Sequence, residues 1–318
     1  MKTILLYGQL PPEAGPDEQD VLVQIDAISA ALRELGHEAV PLALSLNLQA
    51  TKEELLRQKP DLVFNLVESV NGSGRMISLG PLLLEELNIP YTGAKADAMF
   101  FTSNKILTKR MLAREGVPTA PWLESGDDLR HIGPKDRYLI KSVWEHASCG
   151  LADDALIEGN PDLIRERLKR SSCFAEAYIE GREFNLAILA GPGGPEFLPP
   201  SEILFEDYPP EKLRIVCYRA KWIEDSFEYS HTPRTFKFRK KDHAMLSHMK
   251  ELALHCWNVF HLTGYARVDF RVDPSGKPWV LEINANPCLS PDGGFAAAAR
   301  HSGLSYREVI RRLVEEDA

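Results

Sequence analysis

The chain has 318 residues, 44% of them hydrophobic and 26% charged, an ordinary globular composition with room for two domains or three small ones. A formal charge of -9 without a long Lys/Arg run argues against a nucleic-acid surface, and no apolar run has membrane-spanning length. Five cysteines (Cys149, Cys173, Cys217, Cys256, Cys288) are scattered, odd in number and lack CxxC spacing, which reads as reduced thiols of a cytoplasmic protein, not as a disulfide frame or zinc site.

The first apolar run, residues 3–7, ends at Gly8 and meets a turn too soon for a signal peptide; it suits a buried parallel strand. Asp17 is placed to cap a helix through Val21, Ile25, Ile28, Ala31 and Leu35 that stops at Gly36. A strand over 38–42, a helix near 52–58 and a strand over 62–66 complete a βαβαβ pattern, which implies α/β architecture with a parallel sheet. Active-site loops in such folds leave the carboxyl ends of the strands; here they are residues 9–16 and 68–75.

Thr102 or Ser103 is placed to cap a helix that carries Lys105, Met111 and Leu112 and ends at Gly116 before Pro118. Lys105 in its first turn opposes the helix dipole unless an anion accompanies it. Tyr138-Leu139-Ile140-Lys141 is a strand ending in lysine. Residues 145–151 then supply small side chains that let backbone N–H groups approach phosphates. Residues 183–189 and 197–204 flank Gly191-Pro192-Gly193-Gly194-Pro195 as a hairpin, residues 242–260 form an amphipathic helix, and Asp292 is placed to cap a helix over 293–301.

Residues 264–289 carry the densest chemistry. Asp273-Pro274-Ser275-Gly276-Lys277 has turn chemistry, and the runs 266–272 and 278–283 alternate as hairpin strands. With a loop of residues 274–277, Asp273 faces Pro278, Asp269 faces Glu282 and Arg267 faces Asn284, all four polar groups on one face. Two carboxylates directly opposite repel, and a divalent cation removes the penalty. Two carboxylates and an amide oxygen are the donors Mg²⁺ prefers, completed by water and phosphate. Arg267 beside them suits an oxyanion. The competing reading is a solvated hairpin in which Arg267 and Asp269 pair off.

The pattern R-x-D-x(12)-E-x-N-x-x-P from Arg267 to Pro287 resembles the metal-binding signature of ATP-grasp ligases, and from Asp61 onward almost the whole chain is similar to the D-alanine–D-alanine ligases. The resemblance implies an N-terminal parallel α/β domain (1–95) followed by a two-subdomain ATP-grasp fold (96–181 and 182–318), and ATP-dependent joining of a carboxylate to an amine through an acyl phosphate. It implies that Asp269, Glu282 and Asn284 hold one or two Mg²⁺ ions, with Mn²⁺ as a substitute. Lys105, Lys141 and Lys221 meet the ATP phosphates under the loop carrying Ser148. Glu176 meets the adenine amino group, backbone at Ala177 and Ile179 the adenine edge, and Glu183 the ribose. Arg267, Lys221 and Ser148 act on the developing charge.

Several positions depart from the family pattern. Residues 9–16, with three prolines and Glu13, replace a Gly-Gly…Ser…Glu segment; Asn104 replaces an aspartate, Ala147 a serine, Trp222 a tyrosine and Cys288 a glycine. His146 is read either as a substrate or proton-transfer group or as an exposed loop histidine, and Asp292 either as a cap or as an ammonium ligand. The expected function is therefore an ADP-forming ligase of amino acids or small peptide-like molecules, a candidate homodimer without nucleic-acid or membrane partners. A true D-alanine–D-alanine ligase and a non-catalytic ATP-binding regulator are the alternatives.

Overall fold

The computed structural model describes residues 1–145, 155–169 and 172–317. At the N-terminus, β1 (Lys2–Gly8), α1 (Pro16–Glu34), β2 (Glu38–Leu44), α2 (Leu48–Gln58) and β3 (Leu62–Leu66) make a parallel three-stranded sheet in the order β2-β1-β3. Ile4, Leu5 and Leu6 are wholly buried, as expected of a parallel strand covered on both faces. Helix α1 sets Val21, Ile25, Ile28 and Leu32 inward at helical spacing. Its cap is not Asp17. Gly15 occupies the cap with Pro16 in the first position, Glu18 returns to the Gly15 N–H at 3.1 Å, and Asp17 instead accepts the Tyr218 hydroxyl at 2.7 Å.

Helices α3 (Leu79–Glu86), α4 (Ala96–Ser103) and α5 (Lys105–Arg114) follow. Thr102 and Ser103 close α4 with bonds to its own carbonyls, so neither caps α5; Asn104 does, accepting from Ile106 N–H and Leu107 N–H at 3.1 and 3.0 Å. The second sheet is antiparallel, in the order β4-β7-β5-β6, from β4 (Trp122–Leu123), β5 (Arg137–Ser142), β6 (Leu156–Glu158) and β7 (Cys173–Ala177), with α6 (Pro161–Leu168) packed on it.

The third sheet holds β8 (Arg182–Gly191), β9 (Gly194–Phe197), β10 (Ser201–Ile203), β11 (Arg234–Thr235), β12 (Tyr265–Val272) and β13 (Pro278–Asn284), in the order β11-β10-β8-β12-β13 with β9 beside β8. The run expected over 197–204 splits in two because Pro199 and Pro200 have no N–H for the ladder. Short helices α7 (Tyr218–Trp222) and α8 (Phe227–Ser230) precede β11, α9 (His243–Val259) packs with α4 and α5 against this sheet, and α10 (Gly294–His301) and α11 (Tyr306–Asp317) share a core with α1, β1 and β3. The cap of α10 is Gly293, not Asp292, whose carboxylate makes no cap bond.

The β12–β13 hairpin pairs Arg267 with Asn284 and Asp269 with Glu282, but Val272, not Asp273, faces Pro278. The turn is one residue longer at its β12 end than its chemistry predicts, because Asp273 is drawn into it: its carboxylate accepts the Ser275 and Lys277 N–H groups, the Ser275 hydroxyl and the Trp279 indole. An extra residue on β13, Leu281, bulges out between Val280 and Glu282 and restores the register.

Candidate active site

A cavity of about 540 Å³ opens between the second and third sheets and the loops at the carboxyl end of β3. Its floor is the polar face of the third sheet. Asn185 on β8, Asp269 on β12 and Glu282 on β13 stand in one row across three strands. Asp269 accepts from Asn185 Nδ2 at 2.7 Å, Asn284 Nδ2 at 3.0 Å, and Arg267 Nε and Nη2 at 2.7 and 2.8 Å. Glu282 lies 3.5 Å from Lys105 Nζ. The Arg267–Asp269 pair set against the metal reading is thus formed, yet the hairpin is not solvated: both side chains are more than four-fifths buried. Burial pulls Arg267 down, and Asp269 with Glu282 more than offsets it.

This donor set suits a divalent cation in kind. Among the described residues no three His, Cys, Asp or Glu side chains cluster for a metal, so an ion here would take Asp269, Glu282 and the Asn284 amide and complete its shell with water and phosphate, the coordination typical of Mg²⁺. The Asn284 amide turns its NH₂ to Asp269; flipped, it presents its oxygen.

The opposite wall comes from β5, β7 and the segment entering β8. Glu176, buried on β7, takes Lys141 on one oxygen and Lys109 on the other, the latter at 2.6 Å. Burial pushes its carboxyl up, but the two lysines outweigh burial and hold it below its ordinary value. Lys109 lies one helical turn beyond Lys105 on α5 and also donates to Thr119 Oγ1 and Ala120 O, each at 2.9 Å. Ala177 donates its N–H to Pro121 O at 2.8 Å; because proline cannot donate in return, the Ala177 carbonyl is left by that pair for another donor. The Ile179 carbonyl accepts Arg271 Nε at 3.0 Å. Lys105 donates to Glu145 O at 2.6 Å. Ser148 and the neighbouring His146, Ala147, Cys149, Gly150 and Leu151 lie outside the described residues.

Arg271 was not anticipated. Almost fully buried, it also reaches Glu183 Oε2 at 3.0 Å, Arg214 O at 2.8 Å and the Tyr178 hydroxyl at 3.2 Å. Arg267, Asp269 and Arg271 alternate along β12, and that period of two was the available signal. Asn185 gave no local signal, since only the pairing of β8 with β12 brings it to Asp269.

The far end of the cavity is built from loops. Lys221 and Trp222 on α7, Arg234, Cys288 and Asp292 all line it. Burial and Arg267 pull the Lys221 ammonium down, with Glu282 and Asp269 opposing. Asp20 on α1 accepts the Ser290 hydroxyl at 2.7 Å and the Cys288 thiol at 3.0 Å; burial pushes that thiol far up, which suits packing rather than nucleophilic chemistry. Glu68 also lines this end. Glu13 is exposed in the β1–α1 turn, away from the cavity lining.

A sequence profile described as "D-ala D-ala ligase C-terminus" matches residues 138–315. The chain is 30% identical over 292 residues to a D-alanine–D-alanine ligase of Aquifex aeolicus, covering 91% of this chain and 92% of that one. It is 28% identical over 319 residues to an uncharacterised protein of Sinorhizobium fredii, covering 96% and 89%. In three dimensions it is similar to the D-alanine–D-alanine ligase of Bacillus anthracis complexed with ATP, with a TM-score of 0.73 at 20% identity over 99% of this chain and 96% of the other.

Proposed function

The chain belongs to the D-alanine–D-alanine ligase family, the ATP-grasp carboxylate–amine ligases, and from that premise we propose that it couples ATP cleavage to ADP with C–N bond formation between amino acids or small peptide-like substrates. The observation that carries this reading is convergence on one cavity: Lys105, Lys141 and Lys221 line it with the carboxylate row of Asp269 and Glu282, with Arg267 beside that row, Glu183 farther along the same sheet and Glu176 at the opposite wall. A pure nucleotide binder has little use for a buried arginine set among the carboxylates at the reacting end.

In this reading Glu176, Ala177, Ile179 and Glu183 hold the adenosine, and Lys105, Lys141 and Ser148 the phosphates. Asp269, Glu282 and Asn284 would hold Mg²⁺, which would neutralise phosphate charge. The substrate carboxylate attacks the γ-phosphorus with Lys221 and the other lysines stabilising the transferring group, so that catalysis is mainly positioning and electrostatics. The amine then attacks the acyl phosphate, and Arg267 stabilises the tetrahedral oxyanion. Arg271 positions Glu183 and the segment at Ile179. Consumption of ATP supports a cytoplasmic location.

The substrate end supports amino-acid or peptide-like substrates other than a pair of D-alanines. Trp222 offers no hydroxyl, Glu13 lies away from the cavity, and the loop after β13 carries Cys288 bonded to Asp20 where the family pattern has glycine. The test is ADP release with Mg²⁺-ATP against amino acids singly and in pairs, D-alanine included, with Glu282→Gln as control. Turnover that requires one particular pair and vanishes in the variant supports the reading. Turnover with D-alanine alone would restore the D-alanine–D-alanine ligase, and tight ATP binding without turnover would favour the regulator.

A further inference from the structure

We infer that Glu68 is the base that removes a proton from the attacking ammonium, an inference that rests on the ligase reading above. Glu68 stands just beyond the carboxyl end of β3, in the cavity that Arg267 and Lys221 also line. Its Oε1 accepts Gln24 Nε2 at 2.9 Å. Gln24 is itself fully buried and fixed at both ends of its amide: Nε2 also reaches Asp20 Oδ2 at 3.1 Å, and its oxygen accepts Leu289 N–H at 3.0 Å. Among the described residues the other oxygen of Glu68 has no hydrogen-bond donor. A carboxylate clamped through one oxygen and open through the other is shaped to receive a proton from the cavity.

The surroundings set its affinity for that proton. Asp17 and Asp20 face it from α1, Tyr265 and Arg267 from β12, and Cys288 from the loop after β13. Burial, with the two aspartates, pushes Glu68 up to about 7, and Arg267 and the Gln24 bond only partly oppose. A base is most effective when its proton affinity sits near the working pH.

Most of the other described candidates are committed elsewhere. Asp269 is enclosed by Arg267, Asn185 and Asn284; Asp20 takes Ser290, Cys288 and Gln24; Glu176 is held by two lysines and Glu183 by Arg271. The Tyr265 hydroxyl donates to Asn286 at 2.6 Å and is pushed well above its ordinary value, as is the Cys288 thiol. In the step, the Glu68 carboxylate takes one proton from R–NH₃⁺. The freed nitrogen pair forms the C–N bond at the acyl-phosphate carbon, the C–O bond to phosphate breaks with its electrons on the leaving phosphate, and the second N–H proton departs with that phosphate.

Two measurements on the full chain test this. In protein labelled with ¹³C at the glutamate carboxyls, a resonance missing from Glu68→Gln should titrate near neutrality; titration in the ordinary carboxylate range would overturn the inference. Separately, ADP release and product are followed with the amino-acid pair that turns over fastest in the panel above, with either its own amine or hydroxylamine as nucleophile. Hydroxylamine is already neutral at assay pH and needs no base. Glu68→Gln should lose ligation of that pair by about 10²–10⁴-fold while hydroxamate still forms, and Glu68→Asp should recover part of the rate. Equal loss with both nucleophiles overturns the inference by making Glu68 a structural group. If the wild type releases ADP with no pair and with no carboxylate plus hydroxylamine, the ligase reading itself fails, and the titration still decides for or against Glu68 as the poised acid–base group.

Discussion

Lys109 and Lys141 converge on one buried carboxylate, yet their surroundings assign them different work. The Lys109 side chain is 2% exposed and off the cavity lining, whereas that of Lys141 is 15% exposed and on it. Lys109→Met keeps the aliphatic stem and deletes three bonds, to Glu176 at 2.6 Å and to Thr119 Oγ1 and Ala120 O at 2.9 Å each. Removing one partner of a buried pair costs about 3–5 kcal/mol. Glu176 retains Lys141, and the ammonium no longer has to be desolvated, so the lower end applies: about 3 kcal/mol, read as a lower urea midpoint at unchanged slope. ATP affinity, measured by calorimetry on the folded variant, should change by less than about tenfold. Lys141→Met should do the reverse, with a stability loss of about 1 kcal/mol or less and a loss of ATP affinity of about tenfold or more. A Lys109→Met destabilisation under about 1 kcal/mol, or equal losses of ATP affinity in the two variants, would refute this division.

Glu282→Gln should lower Mg²⁺-dependent ADP release by about 10²–10³-fold with little change in the urea midpoint; chelation should stop the wild type, and Mg²⁺ or Mn²⁺ should restore it. Glu68 links pH to stability with a definite sign. Its folded value lies at about 7 against an ordinary 4.5, so between those pH values the folded state holds a proton that the unfolded state lacks, and stability falls as pH rises through the window. Relative to Glu68→Gln, the wild type should lose on the order of 1–2 kcal/mol between about pH 5 and pH 8, the full shift being discounted for solvent at the cavity; a pH-independent difference would contradict this. Gly181, at φ 139°, packs so closely under β12 that an added Cβ would overlap the Val272 carbonyl. Gly181→Ala should therefore cost about 2–4 kcal/mol and raise the KM for ATP through the segment at Ile179, whereas a neutral melting curve would show that the backbone accommodates it.

What local pattern could reveal, it did. The N-terminal βαβαβ run, the helix of α9 and the opposition of Asp269 to Glu282 follow from periods of 2 and 3.6 in apolar spacing. The helix caps failed for a shared physical reason: an acidic or hydroxyl side chain at a helix start can serve partners other than the helix. Asp17 is taken by Tyr218, 201 positions away, Ser103 turns back onto Phe100, and Asp292 makes no cap bond while adding its charge beside Arg234. Glycine and asparagine took over the vacated caps. The hairpin turn failed similarly, because Asp273 satisfies three donors within the loop and a fourth, the Trp279 indole, on β13, and the bulge at Leu281 then hid the one-residue error from the residues that matter.

The same reasoning explains why the two halves of the cavity were unequally legible. Groups of the nucleotide half lie on regular elements at short spacing: Lys105 and Lys109 one turn apart on α5, Arg267 and Asp269 two apart on β12, Glu176 to Glu183 within one continuous segment. The substrate half is assembled from α1, the loop after β3, the α7–β11 region and the loop after β13, and its defining bonds join residues 265 to 270 positions apart, namely Gln24 to Leu289, Asp20 to Cys288 and Asp20 to Ser290. No local period encodes such pairs. A substitution there stays local: Asp20, Gln24 and Ser290 interlock chiefly with one another and with Glu68, and their bonds do not reach the row that runs from Asn185 through Asp269 to Glu282. Glu68 is bonded to the α1 network on one side and under the influence of Arg267 on the other, so the mechanism proposed above would set proton removal beside the arginine it assigns to the oxyanion.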